Sequence, residues 1–69
     1  MNKYIIPVCN IQESDVYNLT INASSYSDCQ DKIMRKFEDY TDKDDWHEFL
    51  EDLDNKDILI GRITDVEEL

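Results

Sequence analysis

This chain of 69 residues has little of what usually builds a reactive site: one glycine, one proline, one histidine and two cysteines. Structural zinc sites need four ligands, usually arranged as two close pairs. Cys9, Cys29 and His47 do not fit, because the cysteines stand 20 positions apart and the histidine stands alone. Buried thiols are the preferred interpretation. A Cys9–Cys29 disulfide between a strand and a covering helix is the alternative, which a cytoplasmic setting disfavours.

Cations are also scarce, with seven lysines and arginines against 17 acidic residues and a formal net charge of −10. All of this net charge falls in residues 38–69, because acids and bases balance in residues 1–37. Each phosphate contact needs a cation, so the scarcity argues against direct binding of DNA, RNA or an anionic membrane. The acidity favours a basic partner protein, and solubility alone is the competing explanation.

Long apolar runs are missing too. None approaches the roughly 20 residues of a membrane-spanning helix, and the N-terminus lacks the basic region and apolar core of a signal peptide. We therefore expect a cytoplasmic protein that forms one domain over residues 1–69. A domain of this length leaves little room for a deep substrate cleft, and no motif specifies a reaction. We expect no enzyme, no catalytic residue and no cofactor.

The apolar pattern predicts three strands. Residues 3–12 are apolar on both faces, which is typical of a central strand, although Pro7 cannot donate a ladder hydrogen bond and requires a bulge or an unpaired edge. Residues 16–23 alternate, with Tyr17, Leu19, Ile21 and Ala23 on the buried face. Residues 57–64 form the third strand, in which Gly61 marks a bulge or the close approach of a helix. Whether this strand runs parallel or antiparallel to the second is left open.

Two helices lie between the second and third strands. The first covers residues 25–40 with Ser25 or Ser27 as its N-cap, and the second starts at an N-cap on Thr41. The order is β–β–α–α–β. This order predicts a two-layer α+β sandwich in which both helices pack on one face of a three-stranded sheet. An acidic tail, residues 65–69, follows.

The segment 38–57, EDYTDKDDWHEFLEDLDNKD, holds ten carboxylates. Its apolar residues recur at i, i+3, i+4 and i+7, namely Trp46, Phe49, Leu50 and Leu53, which predicts one buried helical stripe. Trp46 could alternatively anchor an interface. The acids point the other way, without local cations. They do not form an EF-hand loop, because position 5 from Asp42 is Trp46 and position 6 from Asp52 is Asp57 rather than glycine. We expect no metal site, weak divalent binding being the alternative.

Carboxylates three or four residues apart on a helix lie about 5–6 Å apart, close to the spacing of charges along a nucleic-acid backbone. Such a row could imitate phosphates and occupy the basic channel of a nucleic-acid-binding protein. The encounter would be electrostatically steered and sensitive to salt. The predicted partner-binding residues are Glu38, Asp44, Asp45, Glu48, Glu51, Asp52 and Asp54.

In size, acidity and the DDWHEFLEDLD helix beside a three-stranded sheet, the chain resembles small acidic proteins of phages and mobile elements. Some of these are anti-CRISPR or other anti-defence inhibitors that mimic nucleic acid. The resemblance implies a non-enzymatic inhibitor of a basic nucleic-acid-handling protein, such as a CRISPR effector, in a bacterial host. It rests on no shared motif and assigns no role to any residue. The alternative function is a generic protein–protein interaction module or a homodimer that uses strand edges or exposed aromatics, with acids serving solubility.

Overall fold

The computed structural model describes residues 1–66, and the last three residues of the predicted acidic tail lie outside that range. The elements in chain order are β1 Asn2–Asn10, β2 Asp15–Ala23, α1 Tyr26–Lys36, α2 Trp46–Asn55, β3 Ile58–Ile60 and β4 Thr64–Asp65. The predicted α+β sandwich is confirmed. The predicted third strand is divided into β3 and β4, so the sheet has four strands rather than three.

The central strand is β1, as its two apolar faces predicted. It pairs antiparallel with β2 on one side and with β3 and β4 on the other. Because β2 and β3 both run antiparallel to β1, they run parallel to each other without being neighbours. The two helices therefore carry the chain across β1 from one edge of the sheet to the other.

The break between β3 and β4 lies opposite Pro7. Val8 pairs with Ile60 and Ile5 pairs with Thr64. Residues 61–63, between β3 and β4, therefore lie opposite only two residues of β1, Ile6 and Pro7. The predicted bulge is present, on the strand that faces the proline. The Pro7 carbonyl oxygen accepts a hydrogen bond of 2.8 Å from the Gly61 N–H, which shows that the backbone of Pro7 points to this side. The missing donor of the proline therefore falls where the ladder is already interrupted.

Glycine is needed at position 61 because the bulge leaves no space for a side chain there. A Cβ atom at this position would lie 2.5 Å from Cγ of Pro7, and a proline ring cannot swing away. The close approach foreseen for Gly61 is thus made by Pro7 and not by a helix.

Both helices cover the same face of the sheet. β1 contributes Tyr4, Ile6 and Val8 to that face. The other buried members of the core are Ile21, Ala23, Cys29, Ile33, Phe37, Phe49, Leu53, Ile58 and Ile63. Pro7, Val16 and Leu59 lie in exposed positions on the sheet. No helix within residues 1–66 is long and apolar enough to cross a membrane.

The first helix is shorter than predicted. Ser25 is its N-cap and accepts a hydrogen bond from the Asp28 N–H at 3.2 Å, but the helix ends at Lys36 rather than Tyr40. Its 11 residues span about 16 Å, against about 30 Å for the nine residues of β2. The helix covers only the later half of β2. Tyr17, which was expected on the buried face, is therefore 37% exposed.

We predict that Gly61→Ala lowers the free energy of unfolding by about 1–3 kcal/mol, because the new methyl group overlaps the Pro7 ring. Pro7→Ala removes the ring and should restore most of the loss when it is combined with Gly61→Ala. Urea unfolding of the single and double variants measures both effects. A double variant no more stable than Gly61→Ala alone would contradict the steric explanation.

Candidate acidic interface

The second helix buries one stripe and exposes carboxylates on the opposite side, as its spacing predicted. Phe49 and Leu53 are fully buried, and Trp46 is half-buried against the same core. The Trp46 ring stacks on Phe49 with centroids 5.3 Å apart, so it packs at the edge of the core. Glu48 and Glu51 face solvent, and neither carboxylate has a hydrogen-bond or ion-pair partner within residues 1–66.

Asp45, and not Thr41, is the N-cap of α2. Its carboxylate accepts a hydrogen bond of 3.2 Å from the Glu48 N–H. Thr41 is instead buried in the connection between the helices, where its hydroxyl oxygen accepts from the Lys43 N–H at 3.3 Å. Asp44 consequently precedes the helix and is exposed in the connection, rather than lying on the helical face as predicted.

Asp52 links α2 to the connection between the helices, residues 37–45. The carboxylate pairs with Lys56 at 3.0 Å, and the Lys56 ammonium also donates to the carbonyl oxygen of Tyr40. Hydrogen bonding from the Thr41 hydroxyl and from Lys56 holds the pKa of Asp52 below its ordinary value. These contacts within the chain give Asp52 a structural role, and its predicted contact with a partner stays a prediction.

The predicted residues do not form one continuous row. Five of them line two shallow depressions that share Lys43. The first, of about 350 Å³, is lined by Asp31, Met34, Arg35, Glu38, Thr41, Lys43 and Asp44. The second, of about 250 Å³, is lined by Lys43, Glu48, Glu51, Asp52 and Asn55. The prediction that these acids lack local cations is wrong, because Lys43 lies beside both groups and Lys56 pairs with Asp52.

Asp54 lies on the other flank of α2, beside an apolar groove. This depression, of about 450 Å³, is lined by Leu50, Glu51, Asp54, Ile58, Leu59 and Ile60. Leu59 is 42% exposed there. The pattern of residues 57–64 predicted only a core strand and not this groove. The signal was the alternation in β3, where Ile58 points into the core and Leu59 points out.

The thiols and the histidine do not form a site in the part of the chain that the structure describes. Cys29 is buried in the core, and burial raises the pKa of its thiol. Cys9 is only half-buried, and both cysteines are free, so the disulfide alternative does not hold. His47 is exposed on α2. No group of three or more His, Cys, Asp or Glu side chains in residues 1–66 could hold a metal ion.

We call Asp45, Glu48, Glu51 and Asp54 the acidic surface. From Asp45 to Asp54 it extends about 14 Å along the helix axis, with the apolar groove on one flank and the depression that contains Lys43 on the other. Comparison with protein-family models, curated proteins and solved structures finds no match for this chain. Its function must therefore be inferred from its own residues.

Two substitutions should separate the capping role of Asp45 from its charge. Asp45→Ala removes the acceptor for the Glu48 N–H and should lower the free energy of unfolding by about 1 kcal/mol. Asp45→Asn keeps an acceptor and should change stability by much less. Urea unfolding followed by Trp46 fluorescence compares them, and equal losses in the two variants would show that the cap is unimportant.

Asp52 should make stability depend on pH in the acid range. Its pKa is lowered in the folded chain from an ordinary value of 3.8. The stabilisation is therefore complete above that value and disappears as the pH falls through the lower, folded pKa. Asp52→Asn should unfold at a lower temperature than the wild type at neutral pH, and the difference should shrink on acidification.

Thermal unfolding from neutral pH to about pH 2 measures this difference. Glu51→Gln is the matched control, because it removes a carboxylate that has no partner within the described residues. The same dependence on pH in the wild type and both variants would exclude the structural role of Asp52.

Proposed function

We propose that the chain is a non-enzymatic inhibitor that binds a basic nucleic-acid-handling protein, such as a CRISPR effector, in the cytoplasm of a bacterial host. One observation carries the proposal. Glu48 and Glu51 are exposed side by side on a helical face that packing does not use, and neither carboxylate makes a hydrogen bond or ion pair within residues 1–66, although Lys43 lines the same depression. Like charges at this spacing destabilise a helix slightly, so a basic partner accounts for them better than folding does.

The two helices differ in a way that supports this view. In α1 an acid lies in the first turn and two bases, Arg35 and Lys36, lie in the last, which is the order that the helix dipole favours. In α2 the last turn has no basic residue, and Asp54 lies near the negative end of the helix dipole. At its C-terminal end the charges of α2 therefore oppose the helix dipole, whereas those of α1 agree with it at both ends.

The acidic surface offers a partner two kinds of contact. Its carboxylates, about 5–6 Å apart along the helix, present a row of negative charge that a phosphate-binding channel can accept. The groove beside Glu51 and Asp54 offers Leu50 and Leu59 as apolar contacts, and burial of apolar surface is the dominant favourable term in most protein–protein association. Together these favour steered, salt-dependent binding that excludes nucleic acid from the same channel.

The predicted partner-binding residues contribute unequally under this proposal. Glu48 and Glu51 form the centre, with Asp45 and Asp54 on their flanks. Glu38 and Asp44 lie beside Arg35 and Lys43 and carry less net charge to the partner. Asp52 is excluded from the contact set because it serves the fold.

The first test is capture of partners from a bacterial lysate on the immobilised chain at low and at high salt. Recovery of one basic nucleic-acid-binding protein, released by salt, supports the proposal. The purified partner is then titrated with the chain in the presence of a fluorescent nucleic acid, and displacement of the nucleic acid is expected. Simultaneous binding of both ligands would contradict the mimicry.

A matched pair of variants tests the position of the contact. Glu48→Gln with Glu51→Gln raises the formal charge by two from −10, and Thr20→Lys with Asn22→Lys raises it equally at exposed sites on β2, which β1 separates from β3 and α2. We expect the first pair to weaken partner binding by roughly tenfold or more and the second to change it little. Equal weakening would mean that only net charge matters. Binding that is insensitive to salt and lost on Tyr17→Ala would favour a generic interaction module instead.

A further inference from the structure

The outer edge of β2 is free, and the backbone geometry identifies which groups it presents. The Pro7 carbonyl points to Gly61, so odd-numbered residues of β1 face β3 and β4 while even-numbered residues face β2. Ile6 pairs with Leu19, so the odd-numbered residues of β2 bond to β1. The residues of β2 that point their N–H and C=O groups outward are Val16, Asn18, Thr20 and Asn22.

A side chain of the same chain covers the outward backbone groups of this edge only at its Asn22 end. The Lys32 ammonium donates to the Asn22 carbonyl oxygen at 2.7 Å, which agrees with the outward orientation of Asn22. The backbone groups of Val16, Asn18 and Thr20 have no partner within residues 1–66. Residues 16–23 contain no charge and no proline, and the register with β1 is uninterrupted. The edge thus lacks the devices that normally prevent strands from pairing with other chains.

We propose that this edge pairs with the same edge of a second copy of the chain, antiparallel about a two-fold axis at Asn18. Asn18 then faces Asn18 of the second copy, and Val16 faces its Thr20. All outward groups of these three residues are used in about six hydrogen bonds. The contact between Lys32 and Asn22 stays intact.

The side chains fit the same register. On the helical side of the sheet, Tyr17 falls opposite Leu19 of the second copy, in the closely spaced type of antiparallel pair. Tyr17 is 37% exposed and Leu19 is half-buried in the single chain. An aromatic residue opposite an aliphatic one stabilises paired strands. The pairing therefore covers the part of β2 that α1 leaves open.

The charge distribution selects a second copy as the occupant. α2 packs against β3, which lies on the far side of β1 from β2. The acidic surfaces of two paired copies would therefore lie toward opposite ends of the joined sheet, where salt screens charges more than about 8–10 Å apart. The uncharged edge is the place where two chains of net charge −10 meet with least repulsion.

Sedimentation equilibrium of the full chain, from low micromolar to near-millimolar concentration, tests the pairing. We expect the mass to rise from 8.2 kDa toward twice that value. Asn18→Lys places two like charges face to face at the axis and should abolish the dimer. Asn22→Lys is the matched control, because it adds the same charge on the same strand outside the pairs that form. Circular dichroism establishes that both variants are folded.

Amide hydrogen exchange gives a second measurement. The amides of Val16, Asn18 and Thr20 should exchange slowly in the dimer and fast in Asn18→Lys, while Tyr17 and Leu19, which bond to β1, stay protected in both. A monomer at all concentrations, or a dimer that survives Asn18→Lys, overturns the inference. Edge amides protected only when another protein is present would assign the edge to that protein and also overturn it. Apart from that last comparison these measurements contain no other protein, so the absence of a dimer does not affect the proposed function.

Discussion

Every strand of the sheet is held by pairing with β1, and the described residues contain no other strand pair. The sheet therefore depends on the backbone groups of nine residues, one of which is a proline. Because Pro7 points its missing donor toward β3 and β4, the pairing with β2 is continuous and the pairing on the other side is broken. The missing N–H of Pro7 thus accounts for the bulge and for the inequality of the two edges of the sheet, and the ring of Pro7 accounts for the glycine at position 61.

The two helices share one core but differ in how their charged side chains are arranged. The charges of α1 agree with its dipole, and its N-cap is reinforced by Asp28, which accepts hydrogen bonds from Ser24. Two carboxylates of α2 serve the fold: Asp45 caps the helix, and Asp52 joins it to the connection through Lys56 and Thr41. The centre of the acidic surface, Glu48 and Glu51, is the negative charge on α2 that makes no hydrogen bond or ion pair within residues 1–66. Its position at the β3 side leaves the β2 side neutral.

Much of the fold could be predicted because it depends on local periodicity. Alternation predicted β2, the i, i+3, i+4 pattern predicted the buried stripe of α2, and Pro7 predicted a bulge. The predictions were wrong where several residues were equally suitable for one structural role. Thr41 and Asp45 can both cap a helix, and only the burial of Thr41 beneath Asp52 decides between them. Tyr17 fits the alternating pattern, but the length of α1 leaves it exposed.

For the acidic residues, the sequence alone determined the amount of charge, its confinement to the second half of the chain and its exposure opposite the Phe49 and Leu53 stripe. These properties follow from composition and helical spacing, which do not depend on distant contacts. Only the tertiary structure decided which carboxylates are free. Lys43 reaches its acids through the course of the connection between the helices. Lys56 pairs with Asp52 at the local i,i+4 spacing, and its bond to the Tyr40 carbonyl ties this pair to the connection. The unpaired edge of β2 likewise appears only in the sheet, since strand order depends on how distant segments pack.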